Sequence, residues 1–321
     1  MIRKWLIAAL ALAALPAQAV EPAEGMLLLN KAAGAAQKLG YSGTFVYQSG
    51  GKSETSRIVH FLEGGKEYER LEVLDGSPRE VVRRDNEIRC YLPERKLVIV
   101  EKRGQRRAFP ALLPVGLGGV AENYTIRSGA TERVAGFDAL AVILEPKDEL
   151  RYGYQLWIES ASGLLLKSVL LGEKGEKLES FAFTQLQIGA APGRDVVRSR
   201  FEGLSDWRIH DHQTAESRQE DLPWQFRAQL PGFRKTVSLR RLAGGDLPDS
   251  FHLVFSDGLA AVSVFIESLA GRKEMPEPGM TTMGAIHVYQ RIVGDHAVVV
   301  MGEVPAQTVK KLGDGIDPKR K

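Results

Sequence analysis

Two imidazoles one residue apart, His210 and His212 around Asp211, are the nearest approach of this chain to a metal-ligand pattern. A structural or catalytic zinc needs one or two further ligands at workable spacing. The other histidines, His60, His252, His287 and His296, stand singly, and the stretch from Arg208 to Asp221 is polar throughout. It reads as a solvated linker. Gly116-Leu-Gly-Gly-Val-Ala121 fits a loose dinucleotide-binding string. That chemistry needs a strand before the string and a helix after it, and Pro110 and Pro114 make the approach a loop instead. Glu145, Asp148 and Glu149 would do acid–base work in a cleft that shifts one pKa, but Pro146 puts them in a turn. No G-x-S-x-G elbow occurs. Cys90 is the single cysteine, so no internal disulfide forms, and alternation groups it with Ile88 and Leu92 as a buried core thiol. These residues imply no enzyme, no cofactor and no metal.

Cations are the more informative residues. Arg83-Arg84, Lys102-Arg103 with Arg106-Arg107, Arg234-Lys235 and Arg240-Arg241 form local clusters. Lys and Arg total 43 against 40 Asp and Glu, a formal charge of +3. A nucleic-acid binder would carry a strongly basic face or domain, so these are patches and not a global field. Arg234, Lys235, Arg240 and Arg241 flank Thr236–Leu239 and would frame an apolar stripe with charge at both ends. Protein interfaces favour that arrangement, which makes these four the candidate partner-binding residues.

The elements that must position them follow from periodicity. Leu28, Ala32, Ala35 and Leu39 recur at helical spacing and predict a helix over Glu24 to Leu39, stopped by Gly40. The period then becomes two. Thr44–Gln48, Arg57–Leu62, Tyr68–Leu74, Glu80–Arg84, Glu87–Leu92 and Lys96–Lys102 read as strands separated by Gly-, Pro- and Asp-rich turns. Ala139–Leu144, Gly153–Glu159, Leu164–Leu171 and Lys177–Gln187 continue the series. The spacing leaves no room for crossover helices, so the sheet should be antiparallel and large enough to curve or partly close. Phe109 to Ala121 interrupts it as an apolar loop or short helices.

Residues 20–207 would form this larger unit and 208–221 the linker, leaving 222–321 as a smaller α+β domain. Its strands are Val237–Arg241, Phe251–Ser256, Ala260–Glu267, Ile286–Ile292 and Ala297–Gly302, with a final helix opening at Pro305. Both units fit within 321 residues, of which 44% are hydrophobic.

The first nineteen residues have the layout of a secretory signal peptide. Arg3 and Lys4 are followed by an apolar run to Leu15 and a small-x-small site, Ala17-Gln18-Ala19. Cleavage after Ala19 and a periplasmic location are the expectation.

Seven stretches in order resemble the periplasmic sigma-E regulators of the RseB/MucB family. They are Tyr41-Ser-Gly-Thr-Phe-Val-Tyr47, Glu69-Arg-Leu-Glu-Val-Leu-Asp-Gly-Ser-Pro-Arg-Glu-Val81 and Arg107-Ala-Phe-Pro-Ala-Leu-Leu-Pro114. Next come Arg151-Tyr-Gly-Tyr-Gln-Leu-Trp157 with Gly163-Leu-Leu-Leu-Lys-Ser168, and Leu230-Pro-Gly-Phe233. His252-Leu-Val-Phe-Ser-Asp-Gly-Leu259 and Gly302-Glu-Val-Pro305 complete the set.

The resemblance implies a non-enzymatic regulator that binds the periplasmic part of a membrane anti-sigma factor and shields it from regulated proteolysis. It also implies a first domain like the LolA/LolB lipoprotein carriers, an unclosed β-barrel with an apolar cavity, and release by lipid or lipopolysaccharide. Phe45, Tyr47, Trp157, Phe181 and Phe183, spaced by two along their strands, are the candidates to line that cavity. A lipid or lipoprotein carrier is the alternative function, since fold does not dictate function. A homo-oligomer stays open.

Overall fold

Helix α1, Pro22–Lys38, opens the described part of the chain and buries Leu29, Ala32, Ala33 and Ala36 at i, i+3, i+4 and i+7. The expected face is therefore rotated slightly, with Leu28 half-buried and Leu29 at its centre. This is a computed structural model, and it describes residues 22–102, 119–189, 193–211, 215–216, 222–241, 250–272 and 275–319. The signal segment, Arg103, Arg106, Arg107, the first half of the Gly116–Ala121 string and His212 lie outside those residues. Among the described residues, no helix is long and apolar enough to cross a membrane.

After α1 come strands β1 (Tyr41–Ser49), β2 (Lys52–Glu63), β3 (Lys66–Val73), β4 (Glu80–Arg84), β5 (Glu87–Leu92) and β6 (Leu97–Lys102). A single helical turn, α2 (Val120–Asn123), precedes β7 (Tyr124–Val134), β8 (Phe137–Pro146), β9 (Gly153–Glu159), β10 (Leu165–Leu171), β11 (Lys177–Ile188) and β12 (Arg208–Asp211). These twelve strands form one sheet in the order β12-β6-β5-β4-β3-β2-β1-β11-β10-β9-β8-β7. Its two ends, β12 and β7, do not pair, so the barrel is unclosed. Tight hairpins produce the antiparallel order. At the β1–β2 turn Gly50 and Gly51 take φ of 54° and 77°, the left-handed geometry whose twist matches the flanking strands.

Two strands of this sheet were not anticipated. β7 carries a bulge between Ser128 and Thr131, which breaks its period of two. β12 pairs in parallel with β6, so the stretch expected to be linker begins as a strand, with Arg208 to Asp211 paired to Leu97 to Val100.

The second body is a seven-stranded sheet built from β13 (Ala215–Glu216), β15 (Arg234–Arg241), β16 (Ser250–Ser256), β17 (Ala261–Ser268), β18 (Gly279–Met283), β19 (Ile286–Val293) and β20 (His296–Gly302). Helix α3, Ala306–Asp314, follows Pro305 at its N-cap and covers one face. Val262, Val264 and Ile266 alternate inward on β17, meet Val298 and Val300 on β20, and pack under Val309 and Leu312 of α3. Each such side chain contributes about 1.5–3 kcal/mol of burial. A two-stranded ribbon, β14 (Trp224–Phe226) with β21 (Ile316–Pro318), closes this core. The α+β expectation for both parts of the chain holds, with mostly antiparallel strands and few helices.

Cys90 departs from expectation. It is half-buried, because β5 turns Tyr91 inward to join Val82, Val98 and Val100, and Cys90, Ile88 and Leu92 fall on the other face. Burial still pushes its thiol pKa upward.

Candidate functional site

The seam between the two sheets is built on Leu150, Arg151 and Tyr152, just before β9. Asp148 sets the local turn: its Oδ1 accepts from the Leu150 amide at 3.0 Å and from Arg151 Nε at 3.0 Å. The guanidinium then reaches across the seam. One nitrogen donates to Asp257 Oδ2 at 2.5 Å, and the other to Asp148 Oδ2 at 2.9 Å and to the Pro231 carbonyl at 2.6 Å.

Asp257 is presented by the β16–β17 turn, where its Oδ1 accepts from the amides of Leu259 and Ala260, both at 2.8 Å. Tyr124 Oη donates to the same carboxylate at 3.2 Å. Both charged side chains are fully buried. Phe233 and Tyr124 flank the guanidinium, with ring centroids 4.8 and 5.8 Å away. Helix α3 adds two bonds to the same segment, Gln307 Nε2 to the Glu149 carbonyl at 2.7 Å and Thr308 Oγ1 to the Leu150 carbonyl at 2.9 Å. Leu150 itself packs against the core of the second body.

Two open clefts lie along this seam and share Pro231. One, of about 460 Å³, is lined by Leu230, Phe233, Phe255 and Leu312; the other, of about 570 Å³, by Asp148, Glu149, Leu150, Gln307 and Lys311. Both clefts are mainly apolar in surface, and charged side chains, Asp148, Glu149 and Lys311, border the second.

The five aromatic candidates do come together. Phe45 pairs with Phe183 and Tyr47 with Phe181 across β1 and β11, and Trp157 joins them from β9. Ring centroids are 5.0 Å for Phe45–Phe181, 6.0 Å for Phe45–Phe183 and 5.2 Å for Phe181–Phe183. Phe45, Trp157, Phe181 and Phe183 are buried in a packed core, while Tyr47 is half-buried and donates to Glu179 at 2.6 Å. Burial, and then this bond, raises the Tyr47 phenol pKa.

The four basic candidates lie on one strand, β15. Arg234 and Arg240 are exposed, with Arg240 stacked 5.7 Å from the Phe251 ring centroid. Lys235 is half-buried, and burial followed by the nearby Lys319 pushes its pKa down. Arg241 is a strand residue whose side chain is outside the described set. Of the other cations, Arg84 is held by both oxygens of Glu202.

His210, read from sequence as part of a solvated linker, is exposed on β12, and His212 lies outside the described residues. Among the described residues, the histidine and carboxylate ligand atoms that converge are those of His60, Glu67 and Glu69. Sequence reasoning also missed the Arg151–Asp257 clasp. The available signal was that both residues sit inside stretches that carry the family resemblance.

Known proteins match this architecture from end to end. Residues 24–205 match the model of the MucB/RseB N-terminal domain, and residues 218–317 that of the MucB/RseB C-terminal domain. The chain belongs to the MucB/RseB family. Among curated members, it is 34% identical over 311 residues to the sigma factor AlgU regulatory protein MucB of Pseudomonas aeruginosa, covering 94% of this chain and 93% of that one. It is 25% identical over 302 residues to the sigma-E factor regulatory protein RseB of Escherichia coli K12, covering 92% and 91%. The solved complex of Pseudomonas aeruginosa MucA and MucB superposes with a TM-score of 0.72 at 32% identity, over 93% of this chain and all of that one. A further MucB structure, in complex with MucA(peri), gives 0.70.

Proposed function

We propose that this chain is a negative regulator of an envelope-stress sigma factor: it binds the periplasmic part of a membrane anti-sigma factor and withholds it from regulated proteolysis. The observation that carries the reading is the match across both bodies to a MucB solved as a complex with MucA. The physical logic is occlusion. A protease takes its substrate extended, and a segment lying in the paired clefts beside Pro231 is not available in that form. A segment disordered when free loses conformational entropy on docking, so moderate affinity is expected. Arg234, Lys235, Arg240 and Arg241 are proposed as rim cations that speed association with an acidic stretch of this partner. The lipid-carrier alternative has no comparable support.

Export to the periplasm with cleavage after Ala19 is part of the same proposal, and the mass of the mature protein tests it. Release by lipid or lipopolysaccharide is a further part of the proposal, with the buried aromatic cluster of Phe45, Phe181 and Phe183 as its candidate site. The deciding experiment mixes the mature chain with the periplasmic segment of the anti-sigma factor from the same genome. Co-elution on gel filtration and slowed cleavage by the site-specific protease are expected. Separate elution at micromolar concentrations, with unchanged cleavage, would overturn the proposal.

A further inference from the structure

Tyr41, His60, Glu69 and Arg83 are register partners in succession across β1, β2, β3 and β4. They therefore form one row on one face of the sheet, and Glu67, two residues before Glu69, shares that face. The row is deeply placed: Tyr41 and His60 are 0% exposed and Glu69 is 4% exposed. The chain just after α1 fixes the imidazole, with the Leu39 carbonyl 2.8 Å from His60 Nδ1. With Nδ1–H donating there, the neutral ring turns its Nε2 lone pair toward Glu67 Oε1, 3.2 Å away. A lone pair facing a carboxylate is repulsive unless a proton or a metal cation stands between them.

Two further atoms point the same way. Glu69 Oε1 and Tyr41 Oη are buried without a hydrogen-bond partner. The Tyr41 ring stacks on His60 at 5.0 Å, which puts it beside this cluster. Buried oxygens of this kind require an explanation, and an unfilled ligand position is one. A ring nitrogen of His60 and one carboxylate oxygen each of Glu67 and Glu69 lie within 4.8 Å of one another.

We propose that His60, Glu67 and Glu69 bind one divalent first-row metal ion of the zinc type, bridging β2 and β3 beneath the end of α1. Imidazole and carboxylate are the donors such an ion takes, at about 2.0–2.2 Å, so small side-chain shifts bring the three atoms into range. A ring N–H held by a backbone carbonyl is the usual outer contact of a ligating histidine. Glu67, a third exposed, provides the route from solvent.

Arg83 limits the affinity. Its Nε lies 3.9 Å from both Glu67 Oε1 and Glu69 Oε1, so it competes with the ion for the same carboxylates.

The test uses the mature chain carrying Cys90→Ala, which removes the thiol as a rival ligand, stripped with chelator and titrated with zinc by calorimetry at pH 7.5. One-to-one binding is expected. Glu67→Gln and Glu69→Gln should each weaken it tenfold or more, and Arg83→Gln should tighten it several-fold. Cobalt should give visible absorption bands that Glu69→Gln abolishes. Because Glu67 is partly exposed, Glu67→Gln keeps the fold, as circular dichroism will verify. The absence of stoichiometric binding, or binding unchanged in both Glu→Gln variants, would overturn the site and leave a shared proton as its occupant.

Discussion

Replacing Arg151 by Met removes a fully buried charge while keeping most of its volume, and it leaves Asp257 buried without its cation. Breaking such a pair costs about 3–5 kcal/mol, because the abandoned charge is stranded in a poorly solvating interior. Asp257 would keep Tyr124 Oη at 3.2 Å and two backbone amides at 2.8 Å, which favours the lower end of that range. The Pro231 carbonyl also loses its donor, adding about 1 kcal/mol. The expected loss is therefore about 3–4 kcal/mol, a factor of several hundred in the folding equilibrium. Arg151→Lys keeps the charge but loses the planar fork that serves Asp148, Asp257 and Pro231 together, so about half the loss is expected. Adding Asp257→Asn to Arg151→Met should recover about 2 kcal/mol, since the stranded charge disappears. Urea unfolding measured with fluorine-labelled tryptophan reads Trp157 in one core and Trp224 in the other. In the variant the two signals should melt separately. A loss below about 1 kcal/mol, with coincident transitions, would refute the idea that this clasp couples the two bodies.

Gly232→Ala should cost about 2–3 kcal/mol in urea unfolding, because φ is +79° and the new methyl would run into the Asn123 amide across the seam. Gly136→Ala, at φ +90° with open space around it, should show the backbone strain alone, about 1–2 kcal/mol. Glu159 closes the β9–β10 turn by accepting from the Ala161 and Ser162 amides at 2.9 and 2.5 Å. Burial raises its pKa, but these bonds and the Lys31 charge outweigh burial and hold it below the ordinary value of 4.5. A depressed folded pKa stabilises above the unfolded value and fades as pH falls through the folded one. Glu159→Gln should therefore lower the thermal midpoint at pH 7 and match wild type near pH 3. Arg234→Glu with Arg240→Glu should weaken binding to the anti-sigma segment by about 1–3 kcal/mol, less at high salt; unchanged affinity at low ionic strength would exclude β15 from the interface.

Elements with a clean period were legible from sequence, and those without one were not. β17 alternates Val262, Val264 and Ile266 and was found; β7 contains a bulge at Ser128–Thr131 and was missed. β18 has all five residues exposed, so no hydrophobic alternation marks it. β12 is held by pairing with β6, more than a hundred residues earlier in the chain, and its own composition reads as linker. Phe45, Tyr47, Phe181 and Phe183 were correctly grouped, because spacing by two dictates a shared face. Whether that face lines a cavity or fills a core depends on what lies opposite.

Sequence alone determined the strand-rich composition, the helix at each end of the described chain and the family. Those features are local, set by period, by turn residues and by short strings read in order. Tertiary structure decided what the charged residues do. Arg151 and Asp257 are 106 positions apart and meet only because two sheets pack at a seam. His60, Glu67 and Glu69 have no recognisable ligand spacing, and strand register, together with the carbonyl of Leu39, turns them toward one point. Strand register brings together residues a hairpin apart, domain packing joins residues far apart in the chain, and neither meeting is encoded by a local pattern of residue types.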